Sequence, residues 1–219
     1  MKTNWWGKPR NISVVVDNES WILPYARKLV EALRGDKAVL CRTHNDILED
    51  GVAFYLGCVK IAPSEIIKRN HRNLVVHESD LPKGKGFAPM TWQILEGKSE
   101  IPICLIEAAD EIDSGAIIYR DAIHLKGHEL CPEWHALQGE KTVELCLRFL
   151  KEKMPPVGAP QKSQGSVYPR RRPQDSALDP NKTIAEQFDL LRVVNNEDYP
   201  AFFEYGGLKY ILKIEKDKR

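Results

Sequence analysis

The chain has 219 residues, 42% of them hydrophobic, and carries 32 Lys and Arg against 31 Asp and Glu. That length and apolar content allow one main domain with an appendage and a sizeable buried core. The near-neutral balance excludes a global field favouring DNA, RNA or an acidic membrane, although a local basic patch could still hold phosphates.

The opening segment, MKTNWWGKPR, lacks the apolar core of a signal peptide. No later run approaches the roughly 18 apolar residues needed to cross a bilayer. The expectation is a soluble, cytoplasmic protein with neither a membrane nor a nucleic-acid partner. Trp5 and Trp6 precede the first strand and should pack on the domain edge or on a second copy of the chain, which leaves a homo-oligomer open. NISVVV, Asn11 to Val16, is a β-branched run that predicts a strand; the polar loop Asp17, Asn18, Glu19, Ser20 follows, and Trp21 to Leu33 repeats apolar residues at helical spacing. Lys37 to Cys41 and part of Asp50 to Lys60 predict two more strands, Pro63 starts a helix over PSEIIKRN, and Asn73 to Val76 predicts a fourth strand.

Pro89 to Leu95 reads as a short helix, and Glu100 to Glu107 and Gly115 to Asp121 read as strands around the loop that holds Asp113. Pro132 to Lys151 has a long helical pattern. The alternation through about residue 151 predicts an α/β domain with a mainly parallel sheet covered on both faces. Pro155 to Asp179 is rich in Pro, Gly, Ser and Gln, contains Arg170, Arg171 and Arg172, and predicts an extended linker or wrapping segment. Thr183 to Val193 predicts a helix, and Ala201 to Ile214 a hairpin turned at Gly206 and Gly207. The expected organisation is a main domain over 1–151, a linker over 152–182 and a small helix and β-hairpin appendage over 183–219. Cys41, Cys58, Cys104, Cys131 and Cys146 are odd in number and form no CxxC pair, so buried free thiols are expected rather than disulfides or zinc ligands.

The chemistry-bearing residues concentrate in two strings. His77 leaves the apolar run Leu74, Val75, Val76 where Pro and Gly turn the backbone, and Asp113 sits on a loop between two strands. An imidazole titrates near neutral pH and a carboxylate can orient it, which suits general acid and base work. A His and an Asp that merely cap turns would read the same way without further context.

That context is HESDLPKGKGFAPMTWQILEG, His77 to Gly97, followed by DSGAII, Asp113 to Ile118. The pair resembles the folate-dependent formyltransferase family, whose pattern is similar to NxHxSLLPxxxGxxPxxWAIxxG followed by a DxG loop and a strand. The resemblance spans about 11–150 and implies a Rossmann-like domain that uses 10-formyltetrahydrofolate as formyl donor, without a metal. It implies that His77 stabilises an oxyanion and moves protons while Asp113 orients it and helps deprotonate the attacking amine. It also implies that the donor lies against the backbone of loops matching Val59 to Ala62 and Ala108, Ala109, Asp110, Glu111 and Ile112, with Gly86 beside the reacting centre. One departure stands out. The family has Asn two residues before the His, where its amide can donate to the oxyanion, and this chain has Val75. Losing such a donor costs on the order of 100-fold or more in rate. Asn73 lies about 6–7 Å further back along the strand, so a water, His77 alone or a backbone amide near Gly84 to Gly86 is the expected replacement.

The tail, with LRVVNNEDYPAFFEYGGLKYILKI, and the HESDLP form of the motif resemble the branch of the family that formylates the 4-amino group of a UDP-linked sugar in pseudaminic acid biosynthesis. A nucleotide-sugar pocket needs an aromatic platform and donors for the diphosphate. Tyr199, Phe202, Phe203 and Tyr205 could form the platform or simply dock the tail, while Asn195 and Asn196 could bond the base. Lys83, Lys85 and Arg170 to Arg172 are candidate phosphate contacts, and Asn18, Glu19 and Ser20 a candidate lip of the acceptor pocket. Two alternatives remain open: formylation of another small amine such as glycinamide ribonucleotide, and a non-catalytic protein that binds folate or a nucleotide.

Overall fold

The computed structural model describes residues 5–163 and 165–217, so the outer limits of the expected segments, 1–4 and 218–219, lie outside the described residues. Strands β1 (Asn11–Val15), β2 (Lys37–Cys41), β3 (Val52–Tyr55), β4 (Arg72–His77), β6 (Glu100–Glu107) and β7 (Ile117–His124) form one sheet in the order β2-β1-β3-β4-β6-β7. The pairings of β1 with β2, β1 with β3 and β3 with β4 are parallel, whereas β4 with β6 and β6 with β7 are antiparallel. The remaining elements are α1 (Leu23–Ala32), α2 (Ser64–Ile67), β5 (Lys85–Gly86), α3 (Pro89–Leu95), α4 (Cys131–Lys151), β8 (Val167–Tyr168), α5 (Phe188–Val193), β9 (Ala201–Tyr205) and β10 (Leu208–Leu212).

Strand parity explains the layers, because successive side chains point to opposite faces. Ile12 and Val14, Phe54, Leu74 and Val76, and Ile103 and Leu105 fall on one face and join α1, α3 and α4 in the main core. Val15, Ala53, Tyr55 and Val75 fall on the other, with Ile106 alongside. The expectation of helices on both faces is therefore met on one side. The second face receives the single turn of α2 and Ile47 after the 44–46 turn, and part of it stays open as a cleft.

Helix α4 is the structural spine. Pro132 suits its first turn, the Glu133 carboxylate accepts from the Leu130 amide at 2.8 Å, and Arg148 and Lys151 complement the negative end of the dipole. Gly139 lets α4 approach α1: a Cβ there would lie 2.4 Å from the Tyr25 ring. Trp6 packs edge-on to Phe149 and donates to the Glu152 carbonyl, and Trp5 stacks on His71, so both lie on the domain edge.

The segment after α4 wraps back across the sheet. Ala159 bridges Ile117, β8 pairs in parallel with β5, and the Trp92 indole donates to the Pro169 carbonyl at 2.8 Å. The tail docks beside α4 through buried Arg192, which bonds the Glu129 carboxylate and carbonyl, and through the Trp134 indole, which donates to the Arg192 carbonyl. Its helix is shorter than the expected Thr183 to Val193, because 185–187 form a 3-10 turn and Ile184 stays exposed. The last sheet strand likewise begins at Ile117 rather than Gly115 and runs on to His124, held by the register of β6.

Candidate active site

His77 ends β4, with 5% of its surface exposed. Its Nε2 lies 2.8 Å from the Gly84 carbonyl oxygen, and because a carbonyl only accepts, Nε2 carries the hydrogen. Its Nδ1 faces Asp113 Oδ2 at 3.4 Å. The same carboxylate oxygen accepts from the Gly86 amide at 2.8 Å. Asp113 sits at φ +53°, a left-handed conformation that costs a non-glycine residue free energy and persists only where surroundings enforce it. The enforcement is visible: the Gln161 side-chain amide donates to the Asp113 carbonyl at 2.7 Å and to the Gly115 carbonyl at 2.9 Å.

The pair lies at the junction of a two-armed cleft of about 380 Å³. One arm runs over the open sheet face, walled by Tyr55, Ile67, Val75 and Ile106 and edged by the backbones of Val59 to Ala62 and of Ala108, Ala109, Asp110 and Ile112. The other turns past the end of β4 between Ser20, Trp21 and Ile22 on one side and Gln138 and Thr142 of α4 on the other, with Glu78 beside it. Asp17 ties the two together. Burial alone would raise its carboxyl, but hydrogen bonds from the Val59 amide, the Asn18 side chain and the Lys60 amide outweigh this and hold it below the usual carboxylate range. Trp21 stacks on His135 at 4.2 Å between ring centres, and burial pushes His135 down to about 3, so this wall stays neutral.

The expected site residues divide sharply. His77, Asp113, Gly86, Val59, Ala62, Ala108, Ala109, Asp110 and Ile112 all line the cleft. Glu111 does not, since it is exposed and its carbonyl accepts from Ser114. Of the expected acceptor contacts only Ser20 lines it. Asn18 is turned toward Asp17 and the Gly57 carbonyl, and Glu19 pairs with Arg42. Lys83 is exposed and Lys85 lies outside the lining, its amide spent on the Ser166 carbonyl. In the tail, Asn195 accepts from the Glu197 and Asp198 amides, Asn196 exchanges hydrogen bonds with Ile214, and Phe202 lies under the Lys209 ammonium. Tyr199 is 55% exposed and away from the cleft. These groups close the tail on itself. Phe203 packs against the cluster of Leu178, Leu191, Val194 and Ala201, which lies within the tail and the segment before it. Arg170 sits over the Phe87 ring at the cleft mouth, while Arg171 turns to the Asp175 carbonyl.

Asn73 does not supply the missing amide. It is buried, its Nδ2 donating to the Ile67 carbonyl and its Oδ1 accepting from Tyr55. The backbone amides near Gly84 to Gly86 are also taken: Gly84 donates to Ser166 Oγ, Lys85 to the Ser166 carbonyl and Gly86 to Asp113. That expectation is corrected, because the wrapping segment claims two of the amides and Asp113 the third. Sequence reasoning missed Glu78, Trp21, Gln138 and Thr142. A signal existed for the last two, a Gln and a Thr one helical turn apart on the α4 stripe otherwise occupied by Trp134, Leu145 and Phe149. Among the described residues no group of three or more His, Cys, Asp and Glu side chains is placed to hold a metal ion, and no helix is long and apolar enough to cross a membrane.

Comparison with known proteins places this geometry. Residues 45–133, which contain His77 and Asp113, match the family model described as formyl transferase. The fold is similar to methionyl-tRNA formyltransferase from Clostridium thermocellum, with a TM-score of 0.78 and 21% identity over 94% of this chain and 93% of that one. It is also similar to a sugar N-formyltransferase from Shewanella, with a TM-score of 0.67 and 16% identity over 94% and 97% of the two chains. HypX from Aquifex aeolicus, solved in complex with tetrahydrofolic acid, aligns with a TM-score of 0.68 and 13% identity over 93% of this chain and 37% of its own. Residues 45–133 thus match the formyl transferase family, and the chain as a whole has the fold of formyltransferases of solved structure.

Proposed function

We propose that the protein transfers the formyl group of 10-formyltetrahydrofolate to the 4-amino group of a nucleotide-linked sugar, of the UDP-4-amino-4,6-dideoxy-N-acetyl-altrosamine type used in pseudaminic acid biosynthesis. The observation that carries this reading is the His77 and Asp113 pair in one cleft that is lined both by apolar side chains of the open sheet face and by the polar groups of Glu78, Gln138 and Thr142. The sheet-face arm fits a flat heteroaromatic donor: its walls are apolar and its rims are backbone, which can bond a ring edge. The donor supplies a formyl carbon on a nitrogen leaving group. The His77 Nε2–H can turn its hydrogen bond from the Gly84 carbonyl to the developing oxyanion, and Asp113 orients the ring and helps take up the proton lost by the attacking amine. A proton returned through His77 to the folate nitrogen lets tetrahydrofolate leave as the new amide forms. With Asn73 and the amides of 84–86 engaged, His77 and a bound water are the remaining oxyanion donors. The sugar acceptor is supported by the resemblance of the tail and by the sugar N-formyltransferase of similar fold. The net charge of +1 gives no tRNA-binding field.

The test is release of tetrahydrofolate on mixing the protein with 10-formyltetrahydrofolate and a panel of nucleotide-linked amino sugars. His77→Ala and Asp113→Ala should each lower turnover about 100- to 10,000-fold while leaving donor affinity nearly unchanged. Near-normal turnover in either variant removes the assigned role. Tight donor binding without turnover on any amine favours a binding protein, the reading that Val75 motivates.

A further inference from the structure

The arm past the end of β4 holds polar groups that the formyl-transfer pair leaves unused. Gln138 is 7% exposed and lines the cleft, and its Oε1 has no hydrogen-bond partner. A buried acceptor without a donor is rare in native structures and points to a group supplied from outside. Thr142, one turn further along α4 and 2% exposed, gives its hydroxyl hydrogen to the Gln138 carbonyl at 2.8 Å, which leaves its oxygen to accept. Glu78 follows His77 directly and lines the same arm, its backbone carbonyl anchored by the Gln93 side chain at 2.6 Å. Burial pushes the Glu78 carboxyl up, offset in part by the His77 charge and the Gln138 amide, while the Asp113 charge pushes it further up. The Trp21 indole lines the same cleft, and among the described residues Lys60 is the one Lys or Arg in the lining. Carboxylate and amide oxygens beside an indole suit a ligand that brings N–H and O–H donors on a ring.

We propose that Glu78 is the amine-binding and specificity-determining residue for the acceptor, its carboxylate holding the amine N–H groups beside His77, with Gln138 Oε1 accepting from the neighbouring N–H or O–H of the same sugar. This rests on the formyl-transfer reading for the identity of the ligand, and it places the diphosphate outside this arm, toward the cleft mouth where Arg170 lies over Phe87.

Calorimetric binding separates the two claims. The probes are a UDP-linked 4-amino-4,6-dideoxy-N-acetyl sugar and its 4-hydroxy counterpart, titrated into protein saturated with tetrahydrofolate. Wild type should prefer the amine by about 10- to 100-fold, and Glu78→Gln, which keeps the shape and removes the charge, should cut that preference to below about 3-fold without changing tetrahydrofolate affinity. A retained preference in Glu78→Gln overturns the proposal, as does a wild type with no preference or with no measurable binding of either sugar. Should Glu78→Gln fail to bind tetrahydrofolate, Gln138→Leu carries the test: it should weaken both sugars by a similar factor of about 10 and keep the amine preference. Unchanged sugar affinity in that variant overturns the proposal. A wild type that forms tetrahydrofolate with no amine removes the functional reading, while the binding comparison still decides Glu78.

Discussion

Under the proposed formyl transfer, Val75 is the residue on which turnover depends most. Its side chain lines the cleft on the same sheet face as Tyr55 and Ile106, beside the imidazole, so an amide placed there would reach the space where an oxyanion forms. Asn73, two residues earlier on the same face, has both ends of its amide committed to Ile67 and Tyr55 and serves the sheet rather than the reaction. Restoring the donor should therefore help. Val75→Asn is expected to raise turnover by about 10-fold or more at unchanged donor affinity, part of the 100- to 1,000-fold that one oxyanion donor is worth. Single-turnover rates measure it, and an unchanged rate would place the oxyanion elsewhere, at His77 and water alone.

At the scale of elements, the site depends on the strap between α4 and the tail. Strand β8 pairs with β5, Ser166 occupies two amides of the loop after His77, and Gln161 holds the backbone at Asp113. The loop that bears His77's partner is thus fixed from a segment about 50 residues downstream in sequence (Gln161 to Asp113, |i−j| of 48). Gly86 is where the two come closest. Its φ is +97°, and a Cβ would lie 2.5 Å from the Tyr168 carbonyl oxygen. Gly86→Ala should cost about 1–3 kcal/mol from backbone strain alone, which at this chain length lowers the melting temperature by roughly 2–4 °C per kcal/mol. Because the Gly86 amide also bonds Asp113, donor affinity and turnover should fall with it. Calorimetric melting together with donor titration checks both, and a melting temperature equal to wild type would mean that β5 and β8 separate freely.

Across the whole molecule, one buried ion pair joins three distant parts of the chain. Arg10 donates to both carboxylate oxygens of Asp36 and, through its other terminal nitrogen, to the Leu150 carbonyl at 2.8 Å, linking the start of β1, the turn before β2 and the end of α4. The two side chains are 3% and 0% exposed. Burial raises the Asp36 carboxyl, yet its hydrogen bonds and charge interaction with Arg10, aided by Lys8, lower it by more, so its folded value lies below the ordinary one. The sign follows: the stabilisation is fully present above the unfolded value of about 3.9 and is lost as pH falls through the lower folded value. Asp36→Asn should cost about 3–5 kcal/mol near neutral pH by leaving Arg10 buried without its partner. In urea unfolding from pH 7 downward, the gap between wild type and variant should hold to about pH 4 and narrow below it. A gap that is constant to pH 3 would remove Asp36 as its source.

Short apolar runs such as Asn11 to Val16 and Glu100 to Glu107, the helical spacing over Pro132 to Lys151 and the Gly206 and Gly207 turn all correspond to elements whose sequence signal is local. His77 and Asp113 were legible because turn chemistry and a specific string frame them. The acceptor wall was not. Gln138 and Thr142 lie on α4, 60 and 64 residues after Glu78 in sequence (138 − 78 and 142 − 78), and only tertiary packing brings them to the same cleft. The tail residues read as acceptor contacts lie apart from the cleft lining, since Phe203 packs in an apolar cluster of the tail itself and Asn196 bonds Ile214 just after the hairpin. Sequence by itself determined which segments are strands and helices and singled out His77 and Asp113, because those follow from local periodicity and residue chemistry. Only tertiary structure decided that one sheet face stays open, that the amides after His77 are spent on the strap, and that Glu78 and Gln138 share a cavity, because each depends on contacts between segments that are remote along the chain.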